Sequence, residues 1–204
     1  MLLITYKNTI NLLNTYECYR VIKPEYSIVF IMNKSTFIHN ISAFTDGACK
    51  VNSGRGGWGW VIYDDSNSKY TIRYMKYGGK VKTTNNEMEM TAMLDCLKNL
   101  SSCKANTRVV INSDSKYVLQ GLVKGGEGII DKEPNGWCEN WRRNNWKTCD
   151  KKDVKNKELW NELYVECVNC CTSEIILDFR WIKGHSGNKG NELADKLANL
   201  GIPK

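Results

Sequence analysis

The chain has 204 residues, 42% of them apolar and a quarter charged, enough for one domain with a sizeable core and perhaps room for a small appendage. Its net charge of +7 favours an anionic partner. No apolar run approaches the roughly 18 residues of a membrane span. Lys7 and Asn8 interrupt the apolar start, so no secretory signal is expected, and nine scattered cysteines read as reduced thiols of the cytosol or nucleus.

Residues 1–35 carry no strong periodicity. Residues 9–20 suit a helix and residues 26–32 a short strand, and the role of this extension stays open. From Phe37 the pattern sharpens. Residues 37–48 read as a strand whose Ile41, Ala43 and Phe44 suit burial on both faces. It is expected to stop on an acid, Asp46, at Gly47, a residue that tolerates positive φ. Residues 58–63 and 70–77 are two further strands, joined by a turn at 64–68, and the short links predict an antiparallel meander. Residues 83–89 open a helix that runs to about Leu100, with Met88, Ala92 and Cys96 on one face. Residues 107–114 form a β-branched strand ending on Asp114, followed by a short helix from Ser115 to about Val123.

Gly125, Gly126, Gly128 and Pro134-Asn135-Gly136 mark a loop. Helices are expected over 136–145 and 156–169, a strand over 175–182, a mobile glycine-rich loop over 183–190 and a closing helix over 191–200. This order predicts a mixed α/β sheet of five strands flanked by helices. Residues 142–157 hold seven basic and two acidic side chains, a local balance of +5 out of the total of +7. With Trp137, Trp141 and Trp146 close by, the run reads either as a nucleic-acid surface or as a solvated face over indoles that belong to the core. Cys167, Cys170 and Cys171 cluster but lack a second ligand pair for zinc.

Four acids recur in similar settings: Asp46 and Asp114 at strand ends, Glu89 early in the long helix, and Asp195 in the closing helix. Each alone has a plain reading as a turn acid, a helix-dipole charge, a cap or a surface charge. Together they point to one site, because the first and fourth strands are neighbours in a sheet of this order. Asp195 faces inward if Leu193, Leu197 and Leu200 mark the packing side. Clustered carboxylates without Cys or His companions favour Mg²⁺ or Mn²⁺. Two such ions, about 3.5–4 Å apart, make the clamp used in phosphodiester cleavage.

The runs Phe44-Thr-Asp-Gly-Ala48, Gly54-Arg-Gly-Gly-Trp-Gly59, Thr83-Thr-Asn-Asn-Glu-Met-Glu89, Asn112-Ser-Asp-Ser-Lys-Tyr117, Trp146-Lys-Thr148, Trp181-Ile-Lys-Gly-His-Ser-Gly187 and Gly190-Asn-Glu-Leu-Ala-Asp195 resemble type 1 ribonuclease H. The resemblance covers about residues 42–200. It implies a ribonuclease H-like fold over residues 36–204 and cleavage of the RNA strand of RNA–DNA hybrids to 5′-phosphate and 3′-hydroxyl ends. It also implies two Mg²⁺ ions, with Mn²⁺ as a substitute, held by Asp46, Glu89, Asp114 and Asp195. Glu89 rather than Glu87 matches, as the acid of Met-Glu-Met. His185 matches the family histidine that shuttles protons or helps product leave; its plain reading is a solvated loop residue.

By the same resemblance, Cys49, Asn52, Asn85, Asn86 and Gln120 contact the RNA sugars, although Asn also serves turns and caps. Trp137, Trp141, Arg142, Arg143, Trp146 and Lys147, within a basic protrusion over 137–157, grip the DNA strand, with Ser115 and Thr148 as phosphate contacts. A monomer clearing hybrids such as replication primers is implied. A reverse-transcriptase-associated relative and a silent hybrid binder are the rival readings. Two departures stand out. A glycine-rich insertion spans about residues 123–136, and residues 1–35 lack the aromatic and basic pattern of a hybrid-binding module.

Overall fold

The structure is a computed structural model in which residues 20–21, 29–30, 39–50, 52–65 and 71–204 are described. The chain divides into two units, Met1–Thr36 and Phe37–Lys204. In the first, β1 (Arg20–Val21) and β2 (Val29–Phe30) pair antiparallel. β2 falls inside the strand expected over 26–32, whereas the helix expected over 9–20 lies outside the described residues apart from Arg20, which stands in β1.

The second unit is built on a sheet of β3 (His39–Lys50), β4 (Arg55–Asp64), β5 (Thr71–Lys80), β6 (Thr107–Ser113), β7 (Gly128–Ile130) and β8 (Ile175–Trp181), in the order β5-β4-β3-β6-β8-β7. The meander is present: β3, β4 and β5 pair antiparallel. β6 joins β3 in parallel, and β8 joins β6 in parallel. Between them run α1 (Asn85–Leu100), α2 (Lys116–Leu122), α3 (Trp137–Arg143), α4 (Lys157–Thr172) and α5 (Lys189–Gly201).

The sheet has six strands where the sequence suggested five. The extra one, β7, comes from the stretch read as a loop and pairs antiparallel with β8. Only three residues long, it is too short to show a period. Its one sign is alternation, with Ile129 exposed and Ile130 buried.

Side-chain alternation along the strands supplies a core on each face of the sheet. Ile41 and Ala43 of β3 and Val109 and Ile111 of β6 meet Met93, Leu97 and Leu100 of α1 and Trp160 and Leu163 of α4. Phe44 of β3 and Val61 and Tyr63 of β4 meet Ala194 and Leu197 of α5 on the other face. Helix starts are fixed by side chains. Thr84 Oγ1 accepts the Glu87 N–H at 3.3 Å, Ser115 Oγ the Val118 N–H at 3.4 Å, and Asn188 Oδ1 the N–H groups of Gly190 and Asn191. Among the described residues no helix is long and apolar enough to cross a membrane.

Ile111, fully buried at the centre of β6, tests this layering. Ile111→Ala is expected to lower stability by about 2–5 kcal/mol and Ile111→Val by about 0.5–1.5 kcal/mol, read from urea midpoints at constant slope.

Candidate active site

Asp46 lies within β3, not at its end: the strand continues for four more residues to Lys50. Gly47 is extended and paired with Trp58, so positive φ is not the reason for glycine there. The reason is closeness. A β-carbon on Gly47 would fall 2.3 Å from the backbone nitrogen of Glu89. The missing side chain lets the first turns of α1 lie directly against β3, and this delivers Glu89 to Asp46. Asp114 arrives by register. The parallel pairing of β3 and β6 ends at Thr45↔Ser113, so Asp46 and Asp114 are the next residues along two adjacent strands.

Asp46, Glu89 and Asp114 each bring a carboxylate oxygen within 4.8 Å of the others. Asp46 is only 7% exposed and Glu89 only 6%. Burial, and then the charges of Asp114 and Asp195, push the Asp46 carboxyl up to about 7. Burial, followed by the charges of Asp46 and Asp114, raises Glu89 well above the usual carboxylate range. Glu89 Oε1 takes a long hydrogen bond from Asn85 Nδ2 at 3.4 Å, and its Oε2 is buried with no hydrogen-bond partner. An acceptor-only oxygen left bare among like charges fits a hard divalent cation. Glu87, by contrast, pairs with Lys80 at 2.5 Å on the surface.

Asp195 stands outside that close set, half-buried on α5, with Oδ1 accepting from Asn199 Nδ2 at 2.9 Å. Its charge and a side-chain hydrogen bond still reach Asp46. The packing side of α5 runs through Ala194, Leu197 and Ala198, while Leu200 is 67% exposed. Leu200 therefore does not mark the inner face. Three residues from Leu197, it is still rotated off the stripe, because the helix follows Ala198 inward instead.

The loop after β8 closes over Asp114. A β-carbon on Gly184 would fall 2.3 Å from Asp114 Oδ2, so the loop backbone packs on the carboxylate itself. His185 follows, exposed and with φ of 51°. The Trp181 indole Nε1–H donates to the Asp114 carbonyl at 3.2 Å. Sequence reading missed Trp181 and Gly184 as site residues. The only signal was the Trp181-Ile-Lys-Gly184 spacing ahead of His185.

Most of the other expected contacts gather at the same edge, beyond the carboxyl ends of β3, β6 and β8, where open α/β sheets take ligands. The Cys49 thiol donates to the Thr83 carbonyl at 3.7 Å, and Asn52, Asn85 and Asn86 are exposed. Ser115 caps α2 and half-buried Gln120 follows on the same helix. The three tryptophans separate. Trp146 is buried in the core. Trp141 packs edge-on to the fully buried Trp160 at 5.6 Å, and Trp137 leans on Trp141 at 5.9 Å with 40% of its surface exposed. Trp137 thus offers a face to solvent, and Trp146 holds the segment down.

Three of the basic side chains here already have acidic partners. Arg143 pairs with Glu139 at 2.5 Å and Lys147 with Asp153 at 2.7 Å. Arg142 lies 4.0 Å from Glu133 and 4.4 Å from the centre of the Tyr164 ring. Thr148 Oγ1 accepts the Lys152 N–H at 3.2 Å. Cys167, Cys170 and Cys171 are free thiols. Burial pushes Cys170 up to about 12 and Cys171 up to about 11, with Cys167 well above its usual value, so they remain protonated packing groups.

The raised Asp46 has a consequence for stability. Its folded pKa of about 7 lies above the unfolded value near 3.8, so the native state keeps a proton that the unfolded chain has lost. That contribution is complete below the unfolded pKa and disappears as pH rises through about 7. In chelator, the thermal midpoint of the wild type relative to Asp46→Asn is expected to fall between about pH 5 and about pH 8. A divalent cation should restore it at the higher pH.

Residues 39–202 match the model of the RNase H family. The Ribonuclease H of Francisella philomiragia is 41% identical over 164 residues, covering 80% of this chain and 91% of that relative. The Ribonuclease H of Francisella tularensis subsp. novicida matches with the same identity and coverage. Two solved structures share the fold. The crystal structure of LC9-RNase H1, titled a type 1 RNase H with the type 2 active-site motif, gives a TM-score of 0.63 at 24% identity over 80% of this chain and 72% of that one. The solution structure of the PFV RNase H domain gives 0.62 at 22% identity over 80% and 94%. With the family match spanning all four acids and His185, the chain belongs to the RNase H family.

Proposed function

We propose that this protein hydrolyses the RNA strand of RNA–DNA hybrids in a reaction dependent on divalent cations, leaving 5′-phosphate and 3′-hydroxyl ends. The observation that carries the reading is the meeting of Asp46, Glu89 and Asp114, with Glu89 Oε2 buried and unpartnered, in a chain of this family. Asp46, Glu89, Asp114 and Asp195 would hold two Mg²⁺ ions, with Mn²⁺ as a substitute. Bound there, the ions supply Lewis acidity for a water nucleophile and a leaving 3′ oxygen.

The chain's own residues do the rest. β3, α1 and β6 fix the carboxylates before substrate arrives, so little reorganisation remains for the reaction. His185, exposed on the loop that packs on Asp114, moves protons at the leaving oxygen or eases product away. Cys49, Asn52, Asn85, Asn86 and Gln120 read 2′-hydroxyls in the shallow minor groove, which separates RNA from DNA without reading bases. Trp137, with Arg142, Arg143, Lys147, Ser115 and Thr148, grips the DNA strand. Residues 36–204 form the hydrolase, residues 1–35 are an extension, and the protein works as a monomer in the cytosol or nucleus. A silent binder would gain nothing from buried carboxylates that raise one another's pKa.

With Mg²⁺, cleavage is expected only in the RNA strand of a labelled hybrid, with single-stranded RNA and duplex RNA intact and chelator stopping the reaction. Asp46→Asn should remove cleavage while hybrid binding and folding persist. Binding without cutting by the wild type in Mg²⁺ and Mn²⁺ would leave a hybrid binder instead. Replacing Arg142, Arg143 and Lys147 together by Ala should reduce the slope of log affinity against log salt by about 2–3. An unchanged slope would take the protrusion off the binding surface.

A further inference from the structure

The insertion over residues 123–136 has no part in the reaction described so far, yet it returns to the sheet beside the site. β7 pairs with residues 177–179 of β8, and Ile130 fills a core position. One residue before β7, Glu127 reaches the sheet with its side chain: Oε1 accepts the Trp181 N–H at 3.0 Å. Successive amides of a strand face opposite edges. The Ile182 N–H goes to the Ser113 carbonyl of β6 at 3.0 Å, so the Trp181 N–H faces the other edge, where β7 has already ended. Glu127 takes the donor that one more ladder residue would have taken.

From Trp181 the connections run to the acids. Its indole N–H holds the Asp114 carbonyl, which also accepts the Lys116 N–H at 3.1 Å. Lys116 Nζ lies 4.6 Å from the centre of the Trp181 ring. Three residues beyond Trp181, Gly184 packs on Asp114 Oδ2 and His185 follows. A carboxylate so close to a site for a polyanion is poorly suited to touch a phosphate. Holding the protein's own backbone is work it can do.

We propose that Glu127 is a positioning residue, through which the insertion clamps the end of β8 and so sets Trp181, Asp114 and the His185 loop for hydrolysis. The effect on rate rests on the hydrolase reading above; the clamp itself does not. In the full chain, Glu127→Ala is expected to lower kcat on a hybrid about three- to tenfold, with KM within about twofold. The thermal midpoint should not change, because the side chain is exposed. The Trp181 amide should exchange hydrogen faster. Glu127→Gln keeps a carbonyl acceptor and should return both rate and exchange to near wild type.

Unchanged Trp181 exchange in Glu127→Ala overturns the proposal. So does an unchanged kcat in a cleaving enzyme, or a change confined to KM, which would make Glu127 a substrate contact. A lowered midpoint that Glu127→Gln fails to rescue also overturns it, as a general defect of folding. If the wild type does not cut hybrids, the hydrolase reading fails, and amide exchange alone then decides whether the clamp exists.

Discussion

Three carboxylates within 4.8 Å of one another repel, and the surrounding fold is what keeps them there. Each arrives on a different element, so no single helix or strand could relax to separate them. Asp46 is fixed by its pairing with Gly59 of β4, one residue past the last β3–β6 pair, Asp114 by the parallel register of β6, and Glu89 by the seating of α1 on Gly47. Rigidity here offsets electrostatic strain. The cost appears in the raised pKa values of Asp46 and Glu89, where burial contributes more than mutual repulsion. A site of this kind trades stability of the empty protein for readiness to take up cations.

The face proposed for the DNA strand follows another logic. Three of its positive groups are not held bare; Arg143 and Lys147 close pairs with Glu139 and Asp153, and Arg142 lies over Tyr164. Exposed pairs of this sort are screened by solvent and contribute little, so phosphate groups could displace the acids readily. The tryptophans beneath work in sequence. Trp160 and Trp146 belong to the core, Trp141 bridges, and Trp137 reaches solvent. A run of tilted and edge-on rings from Trp137 through Trp141 to Trp160 ties this face to the hydrophobic centre.

Much of this was legible in the sequence, and the misreadings have physical causes. Long periodic stretches such as residues 107–113 and 157–172 reveal their elements because burial imposes the pattern. Preferring Glu89 to Glu87 rested on its place in Met-Glu-Met, and the geometry separates them sharply, one buried beside Asp46 and the other paired with Lys80. Gly47 was misread because a glycine after an acid suggests a turn, whereas closeness between elements distant in sequence leaves no local mark. The same is true of Gly184 against Asp114. β7 went unseen because three residues at a sheet edge depend on β8 for their conformation more than on their own composition. Leu200 misled because apolarity alone does not say which way a terminal helical turn faces.

Asp46 also couples the site to bulk acidity. With burial pushing its carboxyl up to about 7, the empty protein near neutral pH keeps a share of its molecules protonated on the oxygens proposed to hold a cation. Cation uptake must therefore expel that proton, and apparent affinity should climb with pH until the carboxyl is fully ionised. Under acid conditions protons would compete with the cation for the same oxygens. On the proposed metal role, the buried position that holds Asp46 in place would thus make loading of the centre an ion exchange, governed by the ratio of free cation to hydrogen ion in the surroundings.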